Sequence, residues 1–382
     1  MAIVYHNWPH YRTAVGRALD RSEKYSYTFF ADTRGIEGIK VSDPSEFRDF
    51  RDSPYRFYWK FMWQPRALAP ALSGYDAVIY HCDPKFVMSW VGSIIARIKG
   101  TKVLFWGHGW LRREKFPQRT IRNIYYRLSS KVLVYAERGK ELGVDAGFPA
   151  RDIVTIYNSL DTDEAERVLG LIEAGELDEL HPARLFDHQD RPIVICTARL
   201  TKVCRFDLLL KAAKILKDQG RPINVLLVGD GTEREALEAL ARSLEVDVHF
   251  HGAVYDETRL AQLIYRSDVT VSPGKIGLTA MHSMMYGTPA ITHGEFDNQM
   301  PEFEAIVPGE TGAFFRRNDE EDLARTIADW LDNGADREQV RAACRECIAT
   351  KWNPQRQVEL IEGALDAVFG DGPELVSGTP GH

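Results

Sequence analysis

Ser272-Pro273-Gly274-Lys275-Ile276-Gly277-Leu278-Thr279-Ala280-Met281-His282-Ser283-Met284-Met285-Tyr286-Gly287-Thr288-Pro289 is the stretch from which the architecture of this chain can be read. A strand over Val269–Ser272 ends at its first residue. A Gly/Pro loop then turns the chain, a short helix starts near Leu278, and Gly287 is placed to cap it. A glycine loop feeding a helix N-terminus presents free backbone N–H groups and the positive end of a helix dipole, which suits a diphosphate. Plain βα turns of this kind recur in every α/β protein, so taken alone the loop divides evenly between anion site and simple connection.

The same strand–helix alternation runs outward in both directions. Strands are expected over Ile3–His6, Tyr27–Phe30, Ala77–Tyr80, Lys102–Trp106, Lys131–Tyr135 and Ile153–Tyr157. In the second half they are expected over Ile193–Thr197, Asn224–Val228, Val246–Phe250, Val269–Ser272 and Ala290–Thr292. Continuous apolar runs of this length suit strands buried on both faces, and intervening helices imply parallel βαβ units. Phe206, Leu209, Leu210, Ala213 and Leu216 mark one such helix by their spacing. The acidic segment Asp161–Asp190 interrupts the alternation. The expected organisation is α/β, with two doubly wound, Rossmann-like parallel-sheet domains (1–180 and 181–353) facing across a cleft. A helix over 354–369 is expected to pack back on the first domain, and the Gly/Pro-rich tail 370–382 is expected to be disordered. Ligands of such sheets bind at the carboxyl ends of the strands.

Composition sets limits on function. The chain has 382 residues, a formal net charge of −7 and 27% charged residues, which is ordinary globular usage and argues against a whole-protein nucleic-acid footprint. No apolar run reaches the ~20 residues of a membrane span, and Met1–His6 reads as a strand rather than a signal peptide. Cys82, Cys196, Cys204, Cys344 and Cys347 read as free thiols of a reducing compartment. The Cys344/Cys347 pair falls on a helix without a second ligand pair, so two helix-face cysteines are preferred to a zinc site. No Gly-x-Gly-x-x-Gly fingerprint follows a strand, and no Gly-x4-Gly-Lys-Ser/Thr loop occurs.

A second basic loop, Thr197-Ala198-Arg199-Leu200-Thr201-Lys202-Val203-Cys204-Arg205-Phe206-Asp207, places three cations at the end of a strand. Cations there are suited to neutralising a leaving diphosphate, although an isolated basic loop is usually only solvated. Taken together, the two loops resemble the donor-binding half of glycosyltransferase family four, which has the GT-B fold. The corresponding motifs here are Ala198-Arg199-Leu200…Phe206-Asp207, Val228-Gly229-Asp230-Gly231, and Ile276-Gly277-Leu278…His282-Ser283-Met284…Gly287-Thr288-Pro289. Tyr157-Asn158-Ser159-Leu160-Asp161 resembles the family's junction motif, and Phe105-Trp106-Gly107-His108-Gly109 its strand ending in His-Gly. The match is sharp over about 193–331 and looser elsewhere. The family's paired glutamates fall on Gly274 and His282, its diphosphate lysine falls on Cys204, and its first Gly-Gly loop is Asn7-Trp8-Pro9-His10-Tyr11-Arg12 here.

The resemblance implies transfer of a sugar from a nucleoside diphosphate donor to a glycan or lipid-linked saccharide, in a cell-surface polysaccharide pathway, with retention at the anomeric carbon. His108, Arg199 and Lys202 are then the expected catalytic residues. Arg205, Gly229, Asp230, Gly274, Lys275, Ile276, Gly277, Leu278, Thr279 and His282 are expected to bind donor. Asn7, His10, Tyr11, Arg12 and Asn158 are expected at the acceptor side or cleft. No resident cofactor is expected, the sugar nucleotide (UDP or GDP) being a co-substrate. Metal independence is expected because no Asp-x-Asp pair occupies a suitable loop; Asp161-Thr162-Asp163 reads as a helix cap. The polar stretch Thr292–Glu304 is either a surface loop or a donor-sugar wall through Asn298, Gln299 or Glu302. Residues 55–66 and 112–131, rich in aromatics and cations, suit either a core helix with a solvated basic face or peripheral contact with the anionic inner leaflet. A cytoplasmic protein with no nucleic-acid partner is expected. The alternatives are a sugar-nucleotide epimerase or phosphorylase on the same fold, and a non-catalytic nucleotide-sugar binder that assembles with another transferase.

Overall fold

The structure, a computed structural model, describes residues 1–35, 40–177, 180–332 and 336–370. It divides into two compact units, one formed by Met1–Asp161 with the C-terminal segment from Asn353, the other by Thr162–Trp352.

The first unit carries β1 (Ala2–Asn7), β2 (Thr28–Asp32), β3 (Phe50–Asp52), β4 (Arg56–Tyr58), β5 (Phe61–Trp63), β6 (Ala77–His81), β7 (Lys102–Gly107), β8 (Lys131–Val134) and β9 (Ile153–Thr155). Seven of these form one parallel sheet in the order β3-β2-β1-β6-β7-β8-β9. The strand period of two sorts the side chains into two cores. Ile3, Phe29, Ile79, Leu104 and Leu133 face one way, onto Ile361, Ala364 and Leu365 of the helix Pro354–Phe369. Val4, Phe30, Val78, Phe105 and Val132 face the other, onto Ala96, Tyr125 and Tyr126. The Pro354–Phe369 helix is also fastened by polar bonds. Ser159 Oγ donates to Gln357 Oε1 (2.7 Å), and Gln357 Nε2 donates to the Tyr157 carbonyl (2.6 Å).

The second unit carries β10 (Ile193–Thr197), β11 (Asn224–Val228), β12 (Val248–Gly252), β13 (Val269–Ser272), β14 (Ala290–His293) and β15 (Gly312–Phe315). They form a parallel sheet in the order β12-β11-β10-β13-β14-β15. Val194, Val225, Val269 and Ile291 bury against the helix Phe206–Asp218 through Leu209, Leu210 and Ala213.

Three features depart from the sequence expectation. The boundary falls at Asp161 rather than at 180, because the helix Thr162–Glu173 buries Ala165, Val168, Leu169 and Ile172 and Glu173 pairs with Arg345 of the second unit (3.1 Å). Four of the acids of that segment, Asp163, Glu164, Glu166 and Glu173, lie on this helix. Residues 55–66 are a β-hairpin, β4 pairing antiparallel with β5, and not an amphipathic helix. β3 and β15 were not anticipated; β3 has only three residues. The expectation for the tail beyond Gly370 lies outside the described residues.

Candidate functional site

In each unit the strand order reverses at one place, between β1 and β6 in the first sheet and between β10 and β13 in the second. Chains leave such neighbouring strands in opposite directions, which opens a crevice at their carboxyl ends. The loops singled out in the sequence emerge at these two points.

In the second unit, the loop after β10 lies against the loop after β13. A short 3-10 turn, Lys202–Cys204, passes so close to Gly274 that a Cβ there would meet the Val203 carbonyl oxygen at 2.0 Å and Cys204 backbone atoms at 2.8 Å. Glycine is therefore required at 274, and the family's first glutamate has no room. Gly229, at φ 152°, is held the same way, since a Cβ on it would lie 2.0 Å from the Ala198 carbonyl oxygen. The Leu200 N–H donates to the Asp230 carbonyl (3.0 Å), and Glu233 N–H donates back to the Leu200 carbonyl (3.0 Å). Asp230 uses its carboxylate on the Gly231 N–H (2.7 Å). Gly229 and Asp230 thus shape the loop that carries Arg199.

Gly277 is the N-cap of the helix Leu278–Met285; no side chain caps the first turn, whose Ala280 N–H bonds back to the Gly277 carbonyl (2.9 Å). Thr279 Oγ1 donates to the Thr197 carbonyl (3.1 Å), fixing that turn to the end of β10. The Ile276 N–H is taken by Gln299 Oε1 (2.8 Å), and Gln299 Nε2 donates to Thr292 Oγ1 and the His293 carbonyl (both 2.9 Å). Gln299 is a buried brace, which corrects its reading as a sugar-pocket wall. Asn298 bonds Glu295 (3.1 Å). Glu302 is buried and brings Oε2 within 3.8 Å of a Cβ built on Gly277.

The cations divide. Lys202 and the exposed Lys275 have no ion-pair partner among the described residues. Arg205, in a left-handed backbone (φ 54°), is held by Asp207 (3.0 Å) and Asn318. The Arg205 guanidinium is therefore engaged by Asp207 and Asn318, where the sequence reading expected it at the diphosphate. Cys204 donates from Sγ to the Arg199 carbonyl (3.2 Å), so it supports the loop and cannot replace a lysine's charge.

His282 Nε2 lies 2.7 Å from Glu257 Oε1, and the Tyr286 hydroxyl donates to the same oxygen (2.5 Å). Glu257 stands in the first turn of the helix Glu257–Tyr265. A carboxylate from another helix thus stands beside position 282. Sequence reading missed it because no local motif links residues 25 apart across a fold.

At the first unit's switch point, Asn7 is buried at the end of β1 and donates from Nδ2 to the Asp32 carbonyl (3.1 Å). Arg12 is 8% exposed. Its guanidinium carbon stacks 4.6 Å from the Tyr5 ring centroid and 5.5 Å from those of Trp106 and Tyr135. It donates from Nη2 to the Tyr135 hydroxyl, while Nη1 has no partner and no carboxylate pairs with it among the described residues. His6, His81 and His108 surround this charge. Burial first and the Arg12 charge second push His6 and His108 down to about 4; burial, the His6 charge and Arg12 hold His81 well below its usual value. The three imidazoles are neutral near pH 7. His108 packs edge-on to Tyr135 at 5.1 Å. His10 is exposed and bonds the Lys40 carbonyl (3.1 Å), and Tyr11 is half-buried beside it. Asn158 is buried, its Oδ1 accepting from the Ser159 N–H (3.0 Å), so it belongs to the turn holding the last helix rather than to an open acceptor face.

Among the described residues, no three His, Cys, Asp or Glu side chains cluster to hold a metal ion, and no helix is long and apolar enough to cross a membrane. Cys344 is buried and Cys347 half-buried on the helix Arg337–Lys351.

Known proteins resemble this chain in sequence and in fold. A family model for Glycosyltransferase Family 4 matches residues 13–164, and one for glycosyl transferases group 1 matches residues 178–346. The chain belongs to the GT-B glycosyltransferases of the family-four kind, and it is a transferase. EpsD of Bacillus subtilis (strain 168), which bears a glycosyltransferase name, is 26% identical over 285 residues, 69% of each chain. The 2-deoxystreptamine glucosyltransferase of Streptomyces kanamyceticus is 22% identical over 316 residues, covering 77% of this chain and 78% of its own. Anabaena HepE, solved in complex with UDP, superposes with a TM-score of 0.71 at 15% identity, covering 96% of this chain and 99% of that one. The lipopolysaccharide outer core galactosyltransferase WaaB gives 0.68 at 14% identity, covering 96% and 100%. These superpositions establish the shared fold.

Proposed function

We propose that the chain moves a sugar from a nucleoside diphosphate-sugar, UDP or GDP being the expected nucleotide, to a glycan or lipid-linked saccharide of a cell-surface polysaccharide, with retention and without a metal ion. The observation that carries this reading is the contact of the Lys202–Cys204 turn with Gly274, beside the helix that Gly277 opens. It gathers Lys202, Lys275 and a helix N-terminus without a side-chain cap at one switch point, which suits electrostatic stabilisation of a leaving diphosphate. Arg199 stands on the same loop. In the reaction, the bond from the anomeric carbon to the diphosphate oxygen breaks and a bond to an acceptor hydroxyl forms on the same face. The hydroxyl proton passes to the departing phosphate oxygen. His282, backed by Glu257, is suited to a ribose hydroxyl, and Glu302 to a hydroxyl of the donor sugar. Neutral His108 offers one hydrogen bond to a substrate hydroxyl.

Peripheral membrane contact is part of the proposal. The helix Phe116–Tyr126 exposes Phe116, Ile121 and Ile124. Arg122 is withdrawn into a pair with Glu114 (2.6 Å), Lys131 onto the Arg151 carbonyl (2.5 Å) and Arg113 into a looser pair with Asp145 (3.8 Å), which leaves Arg112, Lys115, Arg119 and Arg127 for the surface. At about 1 kcal/mol per cation near an anionic leaflet, four cations give useful but reversible attraction. The test of function is nucleotide affinity in Arg199→Ala. Weakened diphosphate binding supports the donor site, and unchanged binding removes it. Product analysis with a labelled sugar nucleotide separates transfer from epimerisation or phosphorolysis.

A further inference from the structure

Beyond the switch-point site, the first unit holds a cavity of about 640 Å³ that includes Arg34, Asp52, Arg56, Tyr58 and Trp63 in its lining. It opens at the carboxyl ends of β2 and β3, since Asp52 ends β3 and Thr33, also lining it, follows β2. That is the side of a parallel sheet on which ligands bind. The β4–β5 hairpin supplies one wall. Its register places Arg56 opposite Trp63 and Tyr58 opposite Phe61. Those four side chains therefore share one face, while Phe57 and Met62 point to the other. Two aromatic side chains that remain 59% (Tyr58) and 38% (Trp63) exposed face the cavity together with a cation.

The charges of this cavity are settled with one exception. Arg34 forms a fork with Asp32 (2.6 to 3.1 Å) and donates to the Tyr55 carbonyl (2.7 Å). Asp52 accepts from the Thr33 hydroxyl (3.0 Å) and pairs with Arg66 (3.3 Å). Arg56 has no hydrogen-bond or ion-pair partner among the described residues. The cavity thus carries one uncompensated guanidinium next to two aromatic faces on a pre-formed rim. An aromatic face covers the C–H side of a sugar ring, and a free guanidinium accepts a carboxylate or phosphate in a fork.

We propose that this cavity binds an anionic sugar residue of the acceptor, the ring lying on Tyr58 and Trp63 and its carboxylate or phosphate meeting Arg56. The proposal rests on the glycosyltransferase reading for the word acceptor, and on the cavity alone for the ligand class. A membrane surface is the competing occupant of the hairpin. The cavity is concave and lined with ordered polar groups, which favours a saccharide for this face, whereas Trp59 at the hairpin tip, 92% exposed, lies outside it.

The test is calorimetric titration of the full chain with an oligogalacturonate, a phosphorylated mannan fragment, the matching neutral oligosaccharides, and inorganic phosphate alone. One acidic saccharide is expected to bind at least about tenfold more tightly than its neutral counterpart, and Arg56→Gln and Tyr58→Ala are each expected to weaken it by about tenfold. Both positions are exposed, so the variants should melt like the parent, and melting is measured to confirm it. Which acidic ligand binds distinguishes carboxylate from phosphate, and binding of phosphate alone, with no gain from the sugar, overturns the saccharide assignment. No acidic saccharide binding, binding unaffected by both variants, or a loss confined to vesicle binding also overturns the proposal. Nucleotide titration of the parent chain is run alongside. If nucleotide binds and no saccharide does, this inference fails and the donor reading stands; if saccharide binds and no nucleotide does, the reverse holds.

Discussion

Replacing Gly274 by alanine tests the construction of the donor site at its tightest point. The added Cβ would lie 2.0 Å from the Val203 carbonyl oxygen, against the 3.0 Å that real Cβ atoms keep, so the two loops must part by about 1 Å. The obstacle is backbone, held in its turn by the Cys204 N–H to Thr201 carbonyl bond (2.9 Å), and no side chain can swing aside. Overpacking of this kind costs about 1–3 kcal/mol. For a unit of this size that is a fall in Tm of roughly 2–12 °C. Lys202 rides on the displaced turn, and a misplacement of about 1 Å can lower turnover by about a hundredfold. Scanning calorimetry and nucleotide titration read both effects. Gly170→Ala is the control, because Gly170 is exposed in a helix with nothing within 4 Å of its Cβ position; it should stabilise the chain by about 0.5–1 kcal/mol. Gly274→Glu, which installs the family's glutamate, should destabilise like alanine rather than improve activity. A Gly274→Ala protein that melts and binds nucleotide as the parent does would refute the stacked-loop geometry.

Further outcomes are expected elsewhere. Glu257→Gln should weaken nucleotide binding by about tenfold through the loss of a charged partner for His282, read by titration, with Tm changing less than in Gly274→Ala. Stability should be greatest above pH 6.5 and fall between pH 6.5 and about 4. In that window the unfolded chain protonates His6 and His108 while the folded chain keeps them neutral. Each contributes about 1.4 kcal/mol per pH unit, measurable by urea unfolding across that range. The lowered carboxyls of Asp32 and Asp366 lose their contribution only below about 3.8, in a separate window. Arg12→Met should raise the His108 pKa only partway from about 4, since burial is the larger cause; NMR titration of the imidazole reads it.

The two parallel sheets were legible because their strands are continuous apolar runs, buried on both faces, and that pattern survives without any tertiary information. The βα loop at Ser272–Thr279 was legible for the same reason, since glycine and proline punctuate it. What stayed hidden depends on contacts between distant residues. Composition could not show that Arg205 is spent on Asp207 and Asn318, or that Glu257 reaches His282. Nor could it show that Gln299 is a brace and not a wall, because a buried glutamine and an exposed one read alike. The hairpin was missed because its strands have three residues each, and their aromatics fit a helical face as well as a ribbon. The domain boundary was misplaced because an acidic stretch reads as a linker, whereas its first part, with Asp163, Glu164, Glu166 and Glu173, is a packed helix.

The most direct test of the central claim is a thermal-shift panel with UDP, GDP, ADP, dTDP and CMP, each without and with magnesium. One nucleoside diphosphate at about 100 times its Kd should stabilise the chain by about 2.7 kcal/mol, a rise of roughly 5–10 °C, equally in the presence and absence of metal. No shift with any nucleotide would contradict the donor site, and a shift that appears only with magnesium would contradict its metal-independent chemistry.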